Sequence, residues 1–385
     1  MAKRKRVALI YTYNENWIGG TYYIENLISA LSQLPDSQQP ELIIITSVIE
    51  DAERLQQNVT YAHWSFRRFE RTLSLPERVV NKFSNVLLGK RVISLLHSDI
   101  DLVFPMLTVM RSYFERVSHH LYWIPDFQEH YLPAFFDADE IQLRKADQNL
   151  VLQLASSIVF SSYAAQRDFN TIYPGNALAQ HVLQFAVTSR LLSEQKDTCL
   201  AKYGITRPYF ICSNQFWKHK NHATVLRALA HLRLNYPQAL VVFTGKEHDY
   251  RNPEYFKELM KLREELGLQN EVSFLGFISR EDQLTLMGTA LAVIQPSLFE
   301  GWSTVVEDAK SLNTPLLASN LDVHQEQLEK YEAKLYFAPE DSEGLAQCMG
   351  QSLKGHLPAQ LYAYQHDIIR FAQSFMKTVN DITAN

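Results

Sequence analysis

QPSLFEGWSTVVEDAKSL, residues 295–312, is the stretch on which the reading of this chain turns. The apolar run 291–294 before it suits a short strand buried on both faces, and Pro296 and Ser297 then turn the chain. A helix opens at Ser303 or Thr304. Glu300 stands in the turn before that helix, and Gly301 follows it, where a missing side chain lets another group approach the backbone closely. The first helical turn offers unpaired N–H groups and the positive end of the helix dipole, a seat for phosphate. Glu307 and Asp308 lie one turn further in. A turn that joins an acid, a glycine and a helix start suits a ligand that is both anionic and hydroxylated.

On both sides of this stretch, strand and helix patterns alternate. Upstream, residues 209–213 (YFICS) form a strand, followed by NQFWKHKNHATVLRAL. Lys218 and Lys220 fall in that strand-to-helix loop, either as phosphate ligands or as two exposed lysines before a helix. Strands at 239–243 and 272–275, the second followed by Gly276 and Phe277, bracket a helix over 253–266. A helix through 283–287 leads into the opening stretch. Downstream come a strand from residue 314, a loop at 320–324 and a last strand at 335–337. The end, 361–379, is amphipathic.

The first half repeats the alternation. Residues 7–11 (VALIY) read as a strand buried on both faces. The loop TYNENWIGG and a helix with Tyr23, Leu27, Ile28 and Leu31 on one face follow. No GxGxxG is present, so a dinucleotide site has little support, and Gly19-Gly20 by itself reads as a turn. Further strands lie at 41–46, 101–104, 121–124 and 157–162, and 181–186 closes the first domain. The irregular region 61–90 holds His63, Trp64, Phe66, Arg67, Arg68, Phe69 and Arg71. It reads either as a surface for an anionic membrane or lipid-linked acceptor, or as an amphipathic helix with a solvated basic face. The strand at 121–124 runs into WIPDFQEHYLPAFFD, which places Asp126, Gln128, Glu129 and His130 beyond its carboxyl end, where α/β folds put ligands. By its residue type alone, His130 is as readily a packed or surface histidine as a ligand.

The 385 residues suit two domains of ordinary size, and 46% apolar residues are ample for two cores. A net charge of −5 argues against nucleic acid as a main partner. Cys199, Cys212 and Cys348 stand far apart without metal spacing, as reduced thiols in a cytosolic protein do. No apolar run reaches the roughly 20 residues of a membrane span, and MAKRKR leads into a first strand rather than a signal peptide. The polar stretch 188–206 reads as a linker with a flanking helix. The predicted class is α/β: a first domain over 1–190, a second over 205–355, and a C-terminal helix within 356–385.

At EGWSTVVEDA the sequence resembles the retaining GT-B glycosyltransferases of family 4, whose signature has the form EGFGLPxxEA. The resemblance implies two Rossmann-like domains facing a cleft, and a retaining, metal-independent transfer of a sugar from a nucleotide-diphosphate donor to a glycan or lipid-linked acceptor. It implies donor-sugar contacts by Glu300 and by a histidine matched to His130. The diphosphate is expected at Gly301, Ser303 and Thr304, with Lys220 matching the family's lysine. Lys218 would supply charge where Asn214-Gln215 replaces the family's Gly-Arg. The base is expected beside Phe277, with Gly20 in the glycine loop bordering the donor. Asp308 falls where a second glutamate holds the ribose, one methylene shorter; Glu307 beside it reads alternatively as a capping-box residue with Thr304 as N-cap. The last helix is expected to cross back to the first domain. No metal site or cofactor is expected, and the setting is cytoplasmic, with the cytoplasmic face of the membrane as the alternative. The rival expectations are a nucleotide-sugar-binding protein without turnover and a GT-B sugar-nucleotide epimerase.

Overall fold

The computed structural model describes residues 4–14, 18–69, 75–88, 99–188, 196–357 and 361–384. Arg71 and residues 189–195 of the expected linker lie outside the described residues.

The runs read as strands assemble into two parallel sheets, each covered by helices. The first contains β1 (Arg6–Ile10), β2 (Glu41–Thr46), β3 (Trp64–Arg68), β4 (Leu102–Met106), β5 (His119–Ile124), β6 (Ser157–Phe160) and β7 (Ala179–Val182). Their order across the sheet is β3-β2-β1-β4-β5-β6-β7. The second contains β8 (Phe210–Ser213), β9 (Val241–Thr244), β10 (Val272–Phe274), β11 (Ala292–Gln295), β12 (Leu316–Ser319) and β13 (Lys334–Phe337), in the order β10-β9-β8-β11-β12-β13. Strand order reverses between β1 and β4 and again between β8 and β11. Those switch points open crevices at the carboxyl ends of the strands. Continuous apolar strands such as ELIIIT lose nearly all exposure because both faces are covered.

Residues 64–68 correct the reading of the basic-aromatic region. WSFRR is not helical: it pairs with β2 as an edge strand, Leu42 opposite Trp64. Its alternation has period two. Trp64 and Phe66 pack on the core, while Arg67 bonds Asp99 at 2.8 Å. The helix of this region comes later, at Leu75–Leu88. Gly19 and Gly20 likewise fall inside a helix, Ile18–Leu31, rather than in the loop before it.

The helix Gln365–Thr383 leaves the second sheet and lies on the first. Phe371, Phe375 and Val379 join the core around β1 and β4, with the Phe375 ring 5.5 Å from that of Phe104. Tyr364 ties down the crossing: its hydroxyl accepts from the Val187 backbone N–H at 2.8 Å and donates to Glu307 at 2.6 Å.

Candidate functional site

Both switch points open onto one cavity of about 770 Å³ between the sheets. Its second-domain wall is built by the turns after β8, β9, β10 and β11. Its first-domain wall comes from the start of the helix Ile18–Leu31 and the turns after β5 and β6.

Glu300 stands at the centre of the second-domain wall, in the turn after β11. Its Oε1 accepts three hydrogen bonds: from Lys220 Nζ at 2.7 Å, Gln295 Nε2 at 2.7 Å and Ser297 Oγ at 2.6 Å. Oε2 has no partner among the described residues. Burial pushes the carboxyl's pKa up, but Lys220, His324 and the hydrogen bond from Ser297 together outweigh it and hold it below the ordinary value. Gln295 is aimed by Asn214, whose Nδ2 donates to Gln295 Oε1 at 3.0 Å. The residue at the place of the family's glycine therefore orients the glutamate's support.

Gly301 is required by the first domain. A Cβ on it would stand 2.5 Å from the Pro125 carbonyl oxygen and 2.9 Å from Asp126 Cβ. The turn after β5 thus closes directly on the turn after β11, and Asp126 faces the Glu300 side of the cleft. Burial raises the Asp126 pKa, against a hydrogen bond from the Gln128 N–H that lowers it. Two carboxyl groups with environments that push them apart line the same cleft.

Past Gly301, Ser303 caps the helix Thr304–Ser311, its Oγ accepting from the Val306 N–H. Thr304 is therefore the first helical residue rather than the cap, and the cleft wall includes both. This also displaces Glu307 from a capping box. It is fully buried behind the helix, bonded to Lys310 at 2.9 Å, Gln327 at 2.9 Å and Tyr364. Glu307 anchors the C-terminal crossing, and Asp308 is the neighbour that turns toward the cleft.

Asp308 lines the cavity with its side chain 1% exposed. Its Oδ2 accepts from Arg280 Nη1 at 2.7 Å and its Oδ1 from Arg280 Nη2, a two-pronged ion pair. Arg280 Nη1 also donates to Gln283 at 2.9 Å, and Gln283 to Ser213 at 2.7 Å. On its other side the guanidinium lies 5.5 Å from the ring centre of Tyr22, across the cleft.

The remaining expected residues divide. Gly20, Lys220 and Phe277 lie on the cavity wall, Phe277 at its rim with 73% of its surface exposed. Lys218 is exposed and outside that wall; its ammonium leans over the Phe135 ring at 5.7 Å. His130 is also outside it: it lies exposed on the short helix Gln128–Tyr131, its ring edge-on to Tyr131. The residue that this strand end turns to the cavity is Asp126, because the chain enters the helix before it reaches His130. Sequence reasoning missed Arg280, Gln295 and Arg251. Arg251 bridges the domains by bonding Glu140 at 2.7 Å beneath the Phe136 ring. Only the first could have been signalled, as a basic residue at a helix start, where the dipole disfavours it.

Comparison with known proteins agrees with the fold. Residues 196–371 match the model of the family described as glycosyl transferases group 1. A stretch of 133 residues is 27% identical to an O-antigen chain mannosyltransferase of Salmonella typhimurium, covering 34% of this chain and 35% of that protein. Another of 118 residues is 29% identical to an alpha-1,3/1,6-mannosyltransferase of Mus musculus, covering 29% of this chain and 28% of that one. The matched part thus spans about a third or less of the length of these relatives. Among solved structures, a glycosyltransferase from Rickettsia africae superposes with a TM-score of 0.68 at 14% identity, over 100% of both chains. Anabaena HepE, solved with UDP and glucose, gives 0.66 at 18% identity, over 99% of this chain and 97% of that one. The architecture is that of the GT-B glycosyltransferases.

Proposed function

From a chain that carries a glycosyl transferases group 1 domain in a GT-B fold, we propose a glycosyltransferase that moves a sugar from a nucleoside-diphosphate donor to a glycan or lipid-linked acceptor, with retention at the anomeric carbon. One observation carries this: Glu300 is held ionised by three donors on Oε1 while Oε2 is left to the cleft. A fixed, half-used carboxylate is suited to accept from sugar hydroxyls.

In this proposal Glu300 orients the donor sugar, and Lys220 with the helix start at Ser303 and Thr304 meets the leaving diphosphate, without a resident metal. Phe277 flanks the base at the rim. Asp126, across the cleft, faces the acceptor side and is placed to take the proton of the attacking hydroxyl. The mannosyltransferase relatives favour a hexose, mannose first, and the O-antigen relative favours surface polysaccharide synthesis. Contact with a membrane-borne acceptor is supported by the helix Leu75–Leu88, on which Phe83, Val86 and Leu87 are exposed. No helix among the described residues is long and apolar enough to cross a membrane. In this reading the reaction takes place at the cytoplasmic face of the membrane.

The test is donor turnover. The protein is incubated with GDP-mannose or UDP-glucose and a lipid-linked glycan acceptor, with and without EDTA. Acceptor-dependent nucleotide release that survives EDTA is expected. Binding without turnover would instead identify a nucleotide-sugar-binding protein, and an altered free sugar formed without acceptor would identify an epimerase.

A further inference from the structure

The turn that carries Glu300 is gripped by the domain to which it does not belong. Phe299, just before the glutamate, stacks on Tyr131 of the first domain, with ring centres 5.5 Å apart and planes 22° from parallel. The Tyr131 hydroxyl donates to Asp168 at 2.6 Å, which braces that ring against the helix Tyr163–Ile172. Gly301, just after the glutamate, meets the Pro125 carbonyl so closely that no Cβ fits. Trp302 packs on the first-domain core, and its Nε1 donates to the Phe185 carbonyl at 2.9 Å. Three of the four residues 299–302 thus abut the first domain. The fourth is Glu300, whose Oε1 is held by Lys220, Gln295 and Ser297 of the second. The docking is fastened again nearby: Glu326 of the second domain accepts from the Tyr163 and Ala164 N–H groups at 2.8 and 3.0 Å, at the start of that same first-domain helix.

Three bonds to one oxygen fix a point. They leave the direction of the other oxygen to wherever the backbone carries the side chain, and that backbone is held on both sides of residue 300 by first-domain groups. We propose that Phe299 and Trp302 are positioning residues through which the first domain, by the Tyr131 ring and the Phe185 carbonyl, aims Glu300 Oε2 at the donor sugar. The second domain presents the carboxylate, and the docked first domain sets its angle. A misplacement of about 1 Å costs on the order of 10²-fold in rate, so a grip of this kind acts on turnover. It leaves nucleotide affinity alone, because the second-domain wall of the cleft stays in place. The inference rests on Glu300 meeting the donor sugar, as proposed above.

Transfer by the full chain is measured with whichever of GDP-mannose and UDP-glucose turns over on the lipid-linked acceptor, and affinity for the matching nucleoside diphosphate by calorimetry. Phe299→Ala is expected to lower kcat about tenfold, with nucleotide affinity within about twofold of wild type. Phe299→Tyr keeps a ring on Tyr131 and is expected to recover most of that loss. Trp302→Phe keeps the ring and loses only the N–H, and is expected to lower kcat about fivefold. The deciding measurement is a cycle with Glu300→Ala. If Phe299 acts through Glu300, the variant Phe299→Ala/Glu300→Ala transfers at the rate of Glu300→Ala alone. Losses that multiply, or a Phe299→Ala enzyme that melts earlier and keeps the wild-type kcat, would overturn the assignment. A Glu300→Ala enzyme with wild-type transfer, or a wild type without transfer, would instead overturn the reading of the cleft as a sugar-transfer site, and this inference with it.

Discussion

Two ion pairs flank the start of the helix Thr304–Ser311, and they are wired in opposite senses. Lys220 and Glu300 meet through one carboxylate oxygen, so the acid keeps Oε2 for the cleft. Arg280 takes both oxygens of Asp308 and also donates to Gln283, so that pair is closed at both prongs. The two acids are eight positions apart in one motif, yet one gives its cation a single oxygen and the other gives both. An acid in a motif is a ligand only when the fold leaves it a lone pair to offer. The cause here lies outside the motif, since the residue that closes Asp308 comes from the start of the preceding helix, Arg280–Thr289.

The contrast is broken most sharply at Glu300. Glu300→Ala removes the half-used carboxylate and is expected to cut transfer more than about tenfold while nucleotide affinity persists. Steady-state rates with calorimetry on the same preparation decide it, and unchanged transfer would remove Glu300 from the site. Lys220→Ala comes next. It should weaken nucleoside-diphosphate binding by about tenfold and lower the melting temperature, because Glu300 is left buried without its cation. Unchanged affinity would take Lys220 out of the diphosphate site. Gly301→Ala is expected to cost about 1–3 kcal/mol by forcing Pro125 away, since the new Cβ meets backbone rather than a movable side chain. Thermal unfolding would show this, and a melting temperature equal to wild type would mean that the turns separate without strain.

The smallest effect is in stability at acid pH, beside the Lys220 pair. Burial lowers the pKa of His222 from 6.5 to about 3, with Lys220 adding to the effect, and its ring stacks on Phe216 at 4.5 Å. Between those two pH values the unfolded chain binds a proton that the folded chain does not, so stability falls as pH drops through that window and is fully present above it. His222→Phe should flatten that acid limb in urea titrations at pH 7 and 4.5. An unchanged limb would show that other groups set it.

Much of the second domain was legible because its signals are local. A continuous apolar run marks a strand with both faces covered, as in β8 and β11, and Glu300, Gly301 and the helix start are fixed by turn chemistry within ten residues. The first domain was less legible. WSFRR carries a period-two pattern too short to stand out among basic residues, and its identity as an edge strand depends on pairing with β2. The expectations for His130 and Lys218 rest on the family resemblance and on a place beyond a strand end, and that position does not fix on which side of the turn a side chain emerges. In the first case Asp126 lines the cavity, and in the second Lys220 does.

The sequence by itself determined two α/β units, the phosphate-suited turn at residues 295–312 and the acid at its centre, because strand burial, turn residues and helix caps act between near neighbours. Only the tertiary structure decided which of Glu307 and Asp308 faces the cleft, and that Arg280 closes the latter. It also decided why position 301 must be glycine. Each of these depends on a group far away in the chain, Tyr364, Arg280 or Pro125, whose approach no local pattern encodes.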